Sequence, residues 1–437
     1  MKIKSFFAVL CTLMMCVTLP VHAENYPYRS DYLWVTVPDH ADWLYKTNEN
    51  AKVEVQLYHY GMPFNGEVSY TIGGDMQSAD RSGRVVLRNG KAVIDMGTSR
   101  KPGFRDLTLT AVVDGKSTKH HVKVGFSVDK IQPFTTEPAD FTQFWRTQID
   151  ELHRTPLSYT KELAEEYCTD KMTCYLVKLK VDNAHSLYGY LFIPKGKTSC
   201  PAVICPPGAG IKTIKEPLRH RYYGENGMIR FETEIHGLDP RLPESTFKDI
   251  SNALNSKGNA YLENGLDNRD NYYMRHVYLG LVRCVDLVTS LAEWDGMNVA
   301  FQGGSQGGAL SIIGASLDDR VNLCVANHPA LVDMAAYSQE GVTGGYPHFN
   351  RSPGMLTKEK IGVMAYYDVV NFARHLKCKT RMTWGYNDST CPPTTSYACW
   401  NVMTCEKEPL ITPINEHWTS EQTEYSHYEW IRDNLRR

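Results

Sequence analysis

From Tyr32 to about Phe126 apolar and polar residues alternate with a period of two. In "AKVEVQLYHY" Val53, Val55 and Leu57 fall on one side of an extended chain, and in "LTLTAVV" Leu107, Leu109, Ala111 and Val113 do the same. Asn89-Gly90 and Asp114-Gly115 sit between such runs and supply the positive φ values that two-residue hairpins require. About seven short strands punctuated in this way predict a β-sandwich of the immunoglobulin or fibronectin kind, assigned here to residues 24–130. No cluster of aromatics is placed for stacking on sugars, so the sandwich reads as a spacer or brace, with carbohydrate docking as the alternative. After "DKIQPFTTEP" the period changes. "ADFTQFWRTQIDELHR" sets Phe141, Phe144 and Trp145 at helical spacing with Thr and Asp nearby as caps, and from Tyr175 onward strand-like runs alternate with helical ones. That alternation predicts an α/β unit over residues 131–437: a mostly parallel, doubly wound sheet with helices on both faces.

The first 23 residues read differently from the rest. Lys2 and Lys4 precede the apolar run "FFAVLCTLMMCVTL", which is too short to span a bilayer, and "PVHA" ends in the small-x-small pattern of signal peptidase sites. A cleavable signal peptide ending at Ala23 is predicted, hence a periplasmic or secreted protein with no integral span after cleavage. Of 12 cysteines, Cys11 and Cys16 leave with that segment. The others show no paired CxxC units, so no zinc site is expected, and Cys168 and Cys174 are read either as a hairpin bridge or as free thiols. A formal charge of −2 on 437 residues supplies no field for nucleic acid.

The stretch "VAFQGGSQGGALSII" carries the chemistry. An apolar strand-like run leads into a helix-like run, and Ser305 falls at the turn between them, with Gly303 and Gly307 letting strand and helix approach closely. A serine held there needs a base and an acid, each in a loop after a later strand. Lys379 to Trp384 read as a strand with Asp388 just beyond it. A short strand ending near Pro413 precedes His417. Among competitors, His427 reads as a solvated position on a terminal helix, His328 as a core or loop histidine with substrate contact as the alternative, and Asp368 as a structural residue in a helix. The oxyanion hole is assigned to the main-chain N–H of Gln306 and to that of Ala209, in the Gly-rich loop of "CPAVICPPGAGIK" after a strand at Ala202 to Cys205.

These residues resemble the acetyl xylan esterases and cephalosporin-C deacetylases, carbohydrate esterase family seven. The resemblance covers about Pro133 to Asn434 and rests on "PADFTQFW", on "VRCVDLVTSLAEWDGMNVAFQGGSQGGAL" and on "YNDSTCPPTTSYACWN". It implies an α/β-hydrolase fold, an acyl-serine mechanism and Ser305, Asp388 and His417 as its triad, and it points to the loop N–H at Ala209, where the family commonly has a tyrosine. This chain departs from the family's pattern at "HGL" (His236 to Leu238), at His417-Trp418 and at "PPGAG". The expectation is an exported serine esterase acting on acetylated polysaccharides or oligosaccharides, with an acyl pocket shaped for acetyl, no metal or organic cofactor, and an oligomeric state left open, a homo-oligomer included. Two readings compete: a prolyl-oligopeptidase-like peptidase, which needs propeller repeats that are not found here, and a non-catalytic carbohydrate-binding protein on a hydrolase scaffold. A chain starting near Ile131 is expected to keep the catalytic machinery.

Overall fold

The computed structural model describes residues 31–254 and 260–436. The predicted signal peptide lies outside the described residues. The period-two region forms two sheets. One joins Tyr32–Pro38, Ala51–His59, Met62–Pro63 and Lys91–Gly97; the other runs in the order Leu44–Tyr45, Lys116–Phe126, Gly103–Val113, Gly66–Gly74, Ala79–Leu87. Val53, Val55 and Leu57 of the first sheet share a single buried cluster with Leu107, Leu109, Val122 and Val124 of the second. Alternation explains it, because successive side chains of a strand point to opposite faces and only one face of each sheet is apolar. Both turns expected at Asn89-Gly90 and Asp114-Gly115 have positive φ at both positions.

The remainder is built on a nine-stranded sheet in the order Tyr159–Leu163, Met172–Lys180, Ser186–Pro194, Ile229–Thr233, Cys200–Cys205, Trp294–Gly304, Leu323–Asn327, Lys379–Trp384, Lys407–Ile411. The pairings are antiparallel up to Ile229–Thr233 and parallel from there on. The central strands are apolar throughout, as a sheet covered on both faces requires: Val203, Ile204, Phe301, Val325 and Ala326 are fully buried. The helices Met274–Thr289 and Gln306–Leu317 are buried along most of their length against this sheet. Crossover connections in such a sheet gather the loops that follow the parallel strands at their carboxyl ends, where ligands bind.

Local details differ from the sequence reading in two places, and in a third the structure selects one of its two alternatives. Asp140 does stand before the helix Phe141–His153, but its carboxylate makes no cap bond; it pairs with Arg269 at 2.8 Å and accepts from the Tyr366 hydroxyl instead. Asp368 is not inside a helix. It is the buried N-cap of Val369–His375, accepting from the N–H groups of Val370, Asp333 and Met334. Cys168 and Cys174 are both free, as are the other described cysteines, and the Cys168 sulfur accepts from the Cys174 N–H at 3.3 Å. Among the described residues no helix is long and apolar enough to cross a membrane.

Candidate active site

Ser305 sits between the strand Trp294–Gly304 and the helix Gln306–Leu317 with φ +59° and ψ −122°. This is sparsely populated ground for a residue with a Cβ, and strain of this kind collects at functional sites. The glycines around it are there because backbone passes too close for side chains. A Cβ on Gly303 would stand 2.6 Å from Gly307, one on Gly307 would stand 2.4 Å from the Pro206 carbonyl oxygen, and one on Gly308 would stand 2.5 Å from that of Asn327. The Gly-rich loop after Cys200–Cys205 is thereby pressed onto the start of the serine's helix.

His417 lies across from the serine, in the loop after Lys407–Ile411, and Asp388 follows Lys379–Trp384. The His417 Nε2 is 2.9 Å from Ser305 Oγ, and its Nδ1 is 2.8 Å from Asp388 Oδ2. A carboxylate only accepts, so Nδ1 carries the proton and Nε2 is left to accept from the serine hydroxyl. The other oxygen of Asp388, Oδ1, accepts from the N–H groups of Thr390 and Cys391 at 2.7 and 2.8 Å. Asp388 is wholly buried. Burial opposes its ionisation, but the hydrogen bond and attraction of His417, together with the Cys391 N–H, outweigh it and hold the carboxyl below its ordinary range.

Among the described residues, neither the Gln306 N–H nor the Ala209 N–H bonds to a main-chain carbonyl. The loop around Ala209 is held from both sides. Tyr261 accepts from the Gly210 N–H at 3.1 Å and donates to Gln306 Oε1 at 2.7 Å, and His236 Nε2 is 3.3 Å from the Gly210 carbonyl oxygen. The "HGL" departure thus places a histidine that steadies the loop carrying Ala209. A cavity of ≈ 540 Å³ opens beside it, lined by Pro207, Gly208, Lys212, Gly303 and Gly304 among others. Ser305, Asp388 and His417 are not among its walls, so it lies beside Ser305, next to Gly304, and does not enclose the three side chains.

Of the competing residues, His427 is not solvated: it is fully buried on the inner face of its helix, and neither ring nitrogen has a hydrogen-bond partner among the described residues. His328 packs against His417 with the rings inclined at 57° and their centroids 4.5 Å apart, and is held at about pKa 4, by burial first and the nearby His417 second. Sequence reasoning passed over Cys391. Its sulfur and the donor atoms of Asp388 and His417 all lie within 4.8 Å of one another, close enough to grip a metal ion, though His417 and Asp388 are already engaged with each other. Burial, then the Asp388 charge, push the Cys391 thiol well above its usual range, so it stays protonated.

Residues 126–434 match the acetyl xylan esterase family model. The chain belongs to the acetyl xylan esterase family. This esterase is 58% identical over 414 residues to the acetyl esterase Axe7A of Xylanibacter ruminicola, which spans 95% of the present chain and 93% of that relative. Two solved structures are similar to it. An acetyl xylan esterase from Paenibacillus sp. R4 aligns with a TM-score of 0.61 at 24% identity, covering 70% of this chain and 98% of the other. Acetyl xylan esterase 1 from Thermoanaerobacterium sp. aligns at 0.60 and 21%, covering 70% and 97%. Their likeness shows the α/β-hydrolase fold. The esterase is therefore an ester hydrolase, and the sequence-level resemblance to carbohydrate esterases holds.

Proposed function

We propose that this esterase removes acetyl groups from acetylated polysaccharides or oligosaccharides through an acetyl-serine intermediate. The observation that carries the mechanism is the continuous array from Ser305 Oγ through His417 to Asp388, at 2.9 and 2.8 Å, in loops at the carboxyl ends of parallel strands. His417 Nε2 takes the hydroxyl proton as Oγ attacks the acetyl carbonyl, and Asp388 holds the ring in the required tautomer while balancing its charge. The N–H groups of Gln306 and Ala209 receive the developing oxyanion. The carbon–oxygen bond to the sugar then breaks, the sugar oxygen takes the proton from Nε2, and the acetyl group stays on Ser305 Oγ as an ester. A water molecule gives its proton to Nε2 and attacks, releasing acetate and restoring the serine.

Export after cleavage at Ala23 belongs to the same reading, as does the division into an immunoglobulin- or fibronectin-like sandwich over 24–130 and a hydrolase unit over 131–437. The test is acetate release from acetylated xylo-oligosaccharides by the full chain and by Ser305→Ala. Release is expected from the first and at most a residue from the second; equal release from both would overturn the assignment. Acyl size gives a second measurement. The loop packed against Gly307 leaves a rigid wall, and each group such a wall cannot house costs about 1–3 kcal/mol. The value of kcat/KM should fall from p-nitrophenyl acetate to butyrate to octanoate, and a rise would point to a lipase-like enzyme.

A further inference from the structure

Lysine is among the residue types least often fully buried, yet Lys123 of the second N-terminal sheet is 0% exposed. In the strand Lys116–Phe126, Val122, Val124 and Phe126 enter the sandwich core. Alternation turns Lys123 the other way, onto the loop that bears Asp388. Its Nζ donates to the Asp388 carbonyl oxygen at 2.7 Å and pairs with Asp75 Oδ1 at 2.9 Å. Its main-chain N–H donates to Asn387 Oδ1 at 2.9 Å.

Two of these partners, Asn387 and Asp75, reach further into the site. Asn387 donates its own N–H to the Asn415 carbonyl at 3.2 Å and its side-chain amide to that of Ile414 at 3.3 Å, so the residue gripped by the sandwich also ties the acid loop to the loop of His417. Asp75, 1% exposed, accepts at Oδ2 from the Thr394 hydroxyl at 2.7 Å and N–H at 3.3 Å. Thr394 lies in the first turn of the helix Pro393–Val402, which opens straight after the acid loop, where a carboxylate suits the exposed N–H groups. On the same strand His121 Nε2 stands 3.6 Å from Glu416, the neighbour of His417.

We propose that Lys123, paired with Asp75, is a positioning residue for the triad: the N-terminal unit holds the backbone of Asp388 and, through Asn387, the His417 loop in the register that lets the carboxylate meet Nδ1. A charge removed from water in this way is tolerated only with its partner and its hydrogen bonds in place, and here those partners sit on the acid loop and its helix. The proposal rests on Ser305, His417 and Asp388 being the catalytic set. It adds that the set is incomplete without the sandwich.

The test compares full-length chains on p-nitrophenyl acetate. Removing one member would leave a buried unpaired charge, so both are changed together. K123M/D75N keeps the volume and loses the donor to Asp388. With folding verified by circular dichroism, kcat is expected to drop roughly ten- to a hundredfold with KM within about twofold, because a small misplacement far from the bond being broken costs that much. The low-field proton resonance of His417 Nδ1–H against Asp388 should broaden or vanish. K123Q/D75N, whose amide can still donate to the Asp388 carbonyl, should recover most of the loss. A folded K123M/D75N with wild-type kcat and an unchanged resonance overturns the proposal, as does an equal loss in the Gln and Met variants, which would assign the effect to packing. Should K123M/D75N not fold, Asn387→Ala cuts the other half of the hold, the link from the Lys123 N–H to the His417 loop, and leaves the buried pair intact; it should lower kcat with KM held, and wild-type kcat there overturns the part of the proposal that runs through Asn387. Ser305→Ala separates the two claims, since retained turnover in that variant would fail the catalytic set itself, whatever the brace does.

Discussion

At the scale of single residues, the two histidines near the carboxyl terminus make the sharpest contrast. His417 reaches both Ser305 and Asp388, whereas His427 is sealed within its helix packing with no hydrogen-bond partner for either nitrogen among the described residues. His417→Ala should remove most turnover, as members of a unit acting together do. His427→Ala leaves a cavity and should act mainly on stability, by roughly 1–3 kcal/mol in a denaturant titration, with kcat in the folded fraction near wild type. If instead His427→Ala abolishes turnover in folded protein and His417→Ala does not, the base has been assigned to the wrong ring. The three residues that meet were legible in the sequence because each left a local mark: glycines that only close backbone contact explains around Ser305, and loop positions directly after strands for Asp388 and His417. His427 and Lys123 left no such mark. Hydropathy reads a histidine on a polar terminal helix and a lysine on the outer face of a strand as solvated, and both are wholly buried because other elements cover those faces.

At the scale of elements, the loops that bear Asp388 and His417 are packed directly on one another. A Cβ on Gly385 would stand 2.1 Å from the Asn415 carbonyl oxygen, so the chain leading to Asp388 lies directly on the chain leading to His417. Gly385→Ala must push them apart, and moving a carboxylate off its histidine by even a fraction of an ångström weakens the orientation of the ring. A fall in kcat of about tenfold or more on p-nitrophenyl acetate, larger than any change in KM, is expected; an unchanged kcat would show that the two loops accommodate the methyl elsewhere. Several strands in this half of the chain were legible at nearly their true bounds, Lys379–Trp384 among them, since buried parallel strands are short apolar runs closed by turn residues. Caps were less so. Asp140 looked like an N-cap, but Arg269 and Tyr366, far away in sequence, take its carboxylate, and no local pattern announces a distant competitor.

At the scale of the whole molecule, the two halves do not meet as independent bodies. Phe104 and Val128 belong to the same buried cluster as the hydrolase sheet, and Phe104 packs on Tyr386 and Tyr397 at 5.1 and 5.8 Å. A chain starting near Ile131 would expose that apolar surface and lose Lys123, so it should be poorly soluble and weakly active even on a small soluble ester, contrary to what the change of period alone suggests. Wild-type turnover by a soluble chain of that kind would restore the spacer reading. Acid stability is likewise a property of the assembled molecule, set by rings that several elements enclose. His328, His348 and His427 are all buried and held at about pKa 4, each by burial first; positively charged neighbours reinforce this, Arg351 at His348 and Arg381 at His427. The unfolded chain, with ordinary histidines near 6.5, binds more protons than the folded one between those values. The stability these rings contribute is therefore fully present above about pH 6.5 and is lost as pH falls toward 4, by up to about 1.4 kcal/mol per pH unit for each ring. Denaturant midpoints taken from pH 8 to pH 4 should be level down to about 6.5 and then decline. Replacing His427 by Gln, which cannot take up a proton, should make that decline shallower than in the wild type, whereas an identical slope would show that the His427 ring does not titrate against the fold.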